Sequence, residues 1–596
     1  MNDHLFVRLV VVAVVAATVA WVCASPYIAD AASYAVVLAI FSVAVGLTFG
    51  QLGYVSFGHA AFLGLGAYAV GLLTVYTGLS YWVLVPLSVV PGLLLGGLVG
   101  WASVRVGGAY FAIATLTLAE MLRLLALNWV DVTRGPMGML VMVPPLEWAR
   151  AFGWGSQQAY LFVLVAVLGL VLVLLSRLIG GPLGRAWAFV GQAPALAQSV
   201  GIPAVRARVI NVALSGGIAS LAGGLLIPKA LVLSPDLFST SLSATGLLSV
   251  VLGGKATLIG PVIGGLLFGL LPEALRAVDQ YRMALFALML LVSVRVLPGG
   301  LTSLVKALRR PSRTMTAPPE TKVRQASRHF STGALAEPEV AVDVRGLGRR
   351  FGGVTAVKDV SFKVGRGELV GLIGPNGAGK TTCFSMISGF LAPSEGEIWL
   401  NGASILGLAP SRVAAMGLVR TFQQTAHCAS LSVGDNVLFA CYLLHREQPW
   451  AGVIRTPSYR AREAERIALA MECLTAVGLQ DRTDVGAGTL SYGDQKLLGV
   501  AIALAARPRV LLLDEPAAGL NHTEGLRLVE VLRGLQLENC TIVIIDHNLP
   551  LLMSICERIV VLQHGEKIAE DRPAAIAEHP QVLKAYLGAP DLEPQT

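Results

Sequence analysis

The chain has 596 residues, of which 55% are hydrophobic and only 14% charged, with a mean hydropathy of +0.68 and a formal net charge of +8. A soluble domain carries about 25% charged residues, so these values exclude a wholly water-soluble protein, and the length implies several domains. No basic stripe interleaved with aromatic residues is present, which argues against nucleic acid as a partner. The excess of Lys and Arg suits the cytoplasmic loops of a membrane protein. The seven cysteines (Cys23, Cys383, Cys428, Cys441, Cys473, Cys540, Cys556) contain no C-x-x-C pair. They predict reduced thiols, neither a disulfide framework nor a zinc site.

Residues 1–305 are poor in charge and rich in Gly, Leu, Val and Ala. A bilayer core of about 30 Å takes roughly 20 apolar residues of helix. Segments of that kind lie near 9–28, 33–50, 58–77, 81–104, 109–128, 158–177 and 209–228, followed by shorter ones near 241–254, 259–273 and 284–298. The first is read as a retained membrane helix, because its apolar run is longer than the core of a cleaved signal peptide. The pair 241–273 is interrupted at Gly253–Lys255 and Gly260–Pro261, which predicts two short helices or a re-entrant pair.

Charge sets the expected orientation. Arg177, Arg185, Arg206 and Arg208 place the loop 177–208 in the cytoplasm, and Arg295, Lys306, Arg309, Arg310 and Arg313 do the same for the tail after 295. The loop 129–157 has mixed sign (Asp131, Arg134, Glu147, Arg150) and fits the outer side. Glycine is dense from Gly46 to Gly66, where small residues allow close helix approach. Gln51, Ser56 and His59 in that stretch fit either a packed, hydrogen-bonded histidine or a discontinuous helix lining a pathway. Glu120 and Arg123, one turn apart, read as an ion pair near the interface, with a pathway role as the alternative. Residues 306–338 are rich in Pro, Ser, Thr and Arg without periodicity, the composition of a flexible basic linker.

From 339 to 590 the pattern is that of a soluble α/β domain. The buried strand Leu369–Ile373 leads into Gly374, Pro375, Asn376, Gly377, Ala378, Gly379, Lys380, Thr381 and Thr382, and a helix follows. This is the phosphate-binding loop in its strand–loop–helix context. Glycines let backbone N–H groups turn toward phosphates at a helix N-terminus. Lys380 reaches the β- and γ-phosphates of ATP and the Thr381 hydroxyl ligates Mg²⁺. A second apolar strand, Val510–Leu513, ends in Asp514 and Glu515. Asp514 is placed to hold Mg²⁺ and Glu515 to polarise the attacking water as general base.

Four further features narrow the class. Leu490–Gln495 (LSYGDQ) resembles the signature motif of ABC ATPases, with Tyr492 and Asp494 departing from its commonest form. The resemblance implies that Ser491 and Gly493 contact the γ-phosphate of ATP held by a partner domain. Gln423, with Gln424 beside it, matches the Q-loop that touches Mg²⁺ and the membrane domain; His547 matches the switch histidine, and Phe351 the aromatic that stacks on adenine. Together with Glu515 these imply an α/β P-loop ABC ATPase domain with a helical subdomain, attached to a polytopic all-α membrane domain.

The resemblance extends to one family, the importers of branched-chain and other hydrophobic amino acids. Pro516–Asn521 (PAAGLN) is similar to the D-loop of their ATPases, 445–470 to the insert of one of their two ATPases, and Lys584–Gly588 (KAYLG) to their chain end. In the membrane half, 50–61, 66–68 and 251–261 resemble one of the family's permeases. The coupling segment Phe189–Ile202 departs from the family pattern, with Gly191 and Gln192 in place of a charged pair. The expectation is an ATP-driven importer subunit of the bacterial inner membrane, permease (1–305) and cytoplasmic ATPase (339–590) fused. Its implied partners are membrane lipid, a second permease, a second ATPase or a second copy of the chain, and a periplasmic substrate-binding protein. Urea or short-chain amide import, an ABC exporter or lipid flippase, and an ATP-gated channel or sensor are the alternatives.

Overall fold

The structure is a computed structural model that describes residues 26–103, 108–143, 155–274, 299–303, 340–423, 427–441, 456–537 and 539–587, with a few isolated positions besides. The expected helices at 9–28 and 284–298, the linker 306–338, Gln424, Gly588 and residues 445–455 of the 445–470 insert fall largely or wholly outside it. Two compact units are present, one formed by 1–191 and 205–312, the other by 192–204 and 313–596.

The first unit is helical. Its helices are α1 (Pro26–Leu52), α2 (His59–Thr77), α3 (Tyr81–Leu87), α4 (Val89–Ala102), α5 (Ala109–Asn128), α6 (Ser156–Ile179) and α7 (Pro182–Gln192). After the short α8 (Pro194–Ser199) come α9 (Ala204–Ala230), α10 (Thr240–Gly253) and α11 (Gly260–Ala274). Counting α3 and α4 together, six helices among the described residues are long and apolar enough to cross a membrane. The span expected at 81–104 is divided at Ser88, because Pro91 has no N–H to give the Leu87 carbonyl one turn back. The pair 241–273 forms two short helices, α10 and α11, as the interrupting glycines imply.

Without a hydrophobic force between helices in lipid, close backbone contact takes over. A Cβ built on Gly66 of α2 would lie 2.0 Å from the Ser220 carbonyl oxygen of α9, and one on Gly265 of α11 would lie 2.5 Å from the Ala39 Cα of α1. Small residues are thus a condition of this packing. His59 begins α2 and is buried, with its ring edge-on to Phe62. The Ser215 hydroxyl donates to the Ala44 carbonyl at 2.7 Å, so His59 Nε2–H donates to Ser215 at 2.8 Å. His59 is therefore a packed, hydrogen-bonded side chain. Arg123 forks onto Glu120 at 2.7 and 2.9 Å, the ion pair expected there.

The second unit is built on two sheets. Antiparallel β1 (Val340–Phe351), β2 (Val354–Gly365), β4 (Glu395–Leu400) and β5 (Ala403–Ser404) lie in the order β2-β1-β4-β5. The second sheet contains β3 (Leu369–Ile373), β6 (Leu418–Arg420), β7 (Val510–Asp514), β8 (Thr541–Ile545), β9 (Arg558–Gln563) and β10 (Glu566–Asp571). Its order is β10-β9-β3-β8-β7-β6, parallel except for the edge strand β10. Every residue of β3, β7 and β8 is buried, as parallel strands covered on both faces must be.

Helix α12 (Lys380–Ile387) leaves β3, and α13 (Pro410–Ala415) precedes β6. A helical layer of α14 (Val433–Ala440), α15 (Pro457–Ala476) and α16 (Tyr492–Ala505) packs together. The chain then runs through α17 (His522–Leu537), α18 (Leu549–Ile555), α19 (Pro573–Glu578) and α20 (Pro580–Leu587). Helix α8 also belongs to this unit and packs on α13 and β6. Beside it, the Gln192 amide donates to the Ser430 hydroxyl at 2.6 Å. The short helix of the coupling segment is therefore retained, with an amide contact at Gln192.

Candidate functional site

Strand β3 ends at Ile373 and the chain turns sharply. Gly374 has φ +148°, and a Cβ there would lie 2.1 Å from the Leu562 carbonyl oxygen, so only glycine fits. The loop closes at Gly379 (φ +96°), where α12 begins. Asn376, Gly377 and Thr381 are exposed, whereas Gly374 and Lys380 are buried. Lys380 Nζ donates to the carbonyls of Gly374 (2.6 Å) and Pro375 (3.0 Å), folding back over the loop. Burial lowers its pKa, opposed by the charges of Glu515 and Asp514.

Those carboxylates end β7, one strand beyond β8 from the loop. Glu515 adopts φ +50°, uncommon for a residue with a side chain, and its N–H donates to the Ile545 carbonyl at 2.7 Å. Both its carboxylate oxygens are engaged. Gln423 Nε2 donates to Oε2 at 2.7 Å, and His547 Nε2 faces Oε1 at 2.8 Å. The sequence-expected Glu515, Gln423 and His547 are thus brought into one cluster from three separate strand ends.

Asp514 is held differently. Its Oδ2 accepts from Arg420 Nη2 at 2.8 Å, while its Oδ1 is buried with no partner among the described residues. Arg420 Nη1 also donates to Ser385 (3.0 Å) and Ser388 (3.3 Å) of the helix that follows the loop. Its guanidinium lies 5.9 Å and 5.2 Å from the ring centroids of Phe384 and Phe422. Lys496 of α16 donates to the backbone carbonyls of Gln423 and, at 3.2 Å, of Glu515. Desolvation lowers the Lys496 pKa. Neither Arg420 nor Lys496 was singled out from the sequence. The signal for both is a charge inside an apolar strand or helix, which has to find a partner.

The signature residues stand apart from this cluster. Ser491 is exposed and caps α16, its hydroxyl accepting from Asp494 N–H at 3.2 Å and donating to the Asp494 carboxylate at 2.7 Å. Asp494 also pairs with Arg482. Gly493 is buried, and a Cβ there would collide with the Glu524 carboxylate at 2.3 Å. Asn521 caps α17, accepting from Glu524 N–H at 2.9 Å while Glu524 accepts from Asn521 N–H at 2.9 Å, a reciprocal capping pair. Phe351, at the end of β1, is 46% exposed, with the Arg349 guanidinium 4.8 Å from its ring centroid. An exposed aromatic there is available to a planar ligand.

A phosphate loop, a paired Asp–Glu strand end and a capped signature helix define a nucleotide-binding ABC ATPase joined to a membrane-spanning permease region. The family model described as the permease component of a branched-chain amino acid transport system matches residues 27–294. The ABC transporter model matches 357–518, and that of the branched-chain amino acid ATP-binding cassette transporters matches 566–591.

The chain is 42% identical over 248 residues to the high-affinity branched-chain amino acid transport ATP-binding protein BraF of Pseudomonas aeruginosa, covering 97% of that protein and 41% of this chain. It is 40% identical over 248 residues to LivG of Escherichia coli, again covering 97% of the relative and 41% of this chain. A solved ATP-binding cassette of an ABC transporter in its ADP conformation shares 28% identity, with a TM-score of 0.37, covering 42% of this chain and all of that one. The chain belongs to the branched-chain amino acid ABC transporter family.

Proposed function

We propose that this chain is the fused permease and ATPase subunit of a bacterial inner-membrane importer of branched-chain or other hydrophobic amino acids. The carrying observation is that a permease model and an ATP-binding cassette model of one transport family match a single chain, with the general ABC transporter model between them. In this reading 1–305 form the permease, 306–338 tether it, and 339–590 form the cytoplasmic nucleotide-binding domain.

The residues suggest how ATP is handled. Gly374, Pro375, Asn376, Gly377, Gly379, Lys380, Thr381 and Thr382 receive the phosphates, and Phe351 stacks on the base. Lys380 leaves the carbonyls on which it now rests and turns to the β- and γ-phosphates, for which a cation is the better-matched donor. The Gln423 and His547 contacts hold Glu515 at the end of β7, where it accepts a proton from the attacking water. Asp514 Oδ1, without a partner among the described residues, and exposed Thr381, with Gln423, suit a hard oxygen-seeking cation. Mg²⁺ held there would neutralise charge on the β- and γ-phosphates.

Ser491 and Gly493 complete a site on a second nucleotide-binding domain, so the working assembly has at least two such domains. A second permease, a second ATPase or a second copy, and a periplasmic substrate-binding protein complete it. Co-expression with these partners, reconstitution into vesicles loaded with ATP and addition of receptor with radiolabelled leucine tests the reading. ATP-dependent accumulation of leucine is expected. Uptake of urea or amides but not leucine, or ATP turnover indifferent to receptor and cargo, would refute it.

A further inference from the structure

The two ends of the phosphate loop are held by the C-terminal segment of the chain. Ladder pairing between β3 and β9 stops at Ile373, opposite Val561. The next N–H, that of Gly374, lies beyond the sheet and donates to the Tyr586 hydroxyl of α20 at 2.8 Å. At the other end of the loop, the Ala378 carbonyl accepts from Gly565 N–H at 3.2 Å, in the turn between β9 and β10. That turn is tightly formed, with His564 at φ +48° and Gly565 at φ +84°. Gly565 also accepts from Lys358 N–H at 2.8 Å, and Lys358 pairs with Glu566 at 2.6 Å.

Helix α20 is seated by Val582, which is buried, and packs on β10 and α19. We propose that Tyr586 is a positioning residue for the phosphate loop, its hydroxyl holding the Gly374 peptide in the orientation that ATP requires. The proposal rests on the nucleotide-binding reading above.

Two peptide units meet at Gly374, and each is held by one side chain. The carbonyl of the Gly374–Pro375 peptide accepts from Lys380, while the N–H of the Ile373–Gly374 peptide donates to Tyr586. When Lys380 turns to the phosphates, the Lys380 contact is withdrawn and Tyr586 remains as an anchor. Gly374, at φ +148°, has no side chain to restrict rotation between the two planes, so the Ile373–Gly374 plane relies on its own hydrogen bonds. Without the hydroxyl, the peptide can relax in the free protein, and binding has to restore it. The loss therefore falls on nucleotide affinity. Desolvation raises the Tyr586 pKa and the hydrogen bond from Gly374 opposes it.

The test is Tyr586→Phe in the full chain, solubilised in detergent, which keeps the ring and deletes one oxygen. ATP affinity is measured by calorimetry, and KM and kcat by phosphate release in the assembled complex. The dissociation constant and KM are expected to rise about five-fold, the factor equivalent to the net worth of one hydrogen bond, with kcat at saturating ATP unchanged. Tyr586→Ala should lose at least as much affinity as Tyr586→Phe, since it lacks the same oxygen. Wild-type affinity in Tyr586→Phe, or a fall in kcat without a change in KM, overturns the assignment. Lys380→Ala serves as control: if the wild type and Lys380→Ala bind ATP equally, the nucleotide-binding reading itself fails, whatever Tyr586 does.

Discussion

Replacing Arg420 with Met keeps much of the stem volume and removes the charge facing Asp514. Arg420 and Asp514 have side chains only 4% and 2% exposed, with 2.8 Å between Nη2 and Oδ2. Breaking such a buried pair from one side costs about 3–5 kcal/mol, because the remaining carboxylate loses its hydrogen-bonded counter-charge and stays out of solvent. The Ser385 and Ser388 hydroxyls also lose a donor, which places the expected cost in the upper part of that range.

Amide hydrogen exchange on the solubilised chain reads this out locally. Peptides covering β7 and β8 exchange through opening of the core, and a loss of about 3–5 kcal/mol accelerates that exchange by roughly two to three and a half decades. The double variant Arg420→Met with Asp514→Leu removes both charges and should recover most of the protection, since an apolar pair of similar volume often substitutes without loss. Acceleration of less than about one decade in the single variant, or a double variant worse than the single, would refute the reasoning.

Glu515→Gln should leave ATP binding intact and abolish steady-state hydrolysis by the assembled complex; unchanged phosphate release would sink the general-base assignment. Lys496→Met should lower kcat at least ten-fold by releasing the Gln423 and Glu515 carbonyls, with Lys496→Arg retaining most activity in the same assay. Gly66→Ala introduces a Cβ 2.0 Å from a backbone oxygen, so its unfolding midpoint in detergent should fall by an amount corresponding to about 1–3 kcal/mol. Gly97→Ala, whose Cβ has its nearest neighbour at 4.0 Å, should behave as wild type. Equal melting of the two alanine variants would show that the close approach of α2 and α9 is not required.

The phosphate loop was legible because its chemistry is local. A strand, a glycine-rich turn, Lys380 and Thr381 have to be consecutive for backbone N–H groups and a helix start to surround one anion. Apolar length disclosed α2, α5, α6 and α9 for a similar reason, since each helix satisfies its own backbone within one stretch of chain. The division at Ser88 is also local and could have been expected from Pro91. Arg420, Lys496 and Tyr586 escaped notice because each finds its partner far along the chain: Asp514 is 94 residues from Arg420, and Gly374 is 212 from Tyr586.

Taken alone, the order of residues determined that one part of this protein suits a bilayer, that another binds nucleotide, and that both belong to one transport family. Hydrophobic run length and consecutive motifs carry that information without reference to distant segments. Only the tertiary structure decided which charges are buried against each other, which oxygen of Asp514 has no partner among the described residues, and which hydroxyl meets Gly374. Those outcomes depend on strand order and helix packing, which bring together groups whose separation along the chain has no period to reveal it.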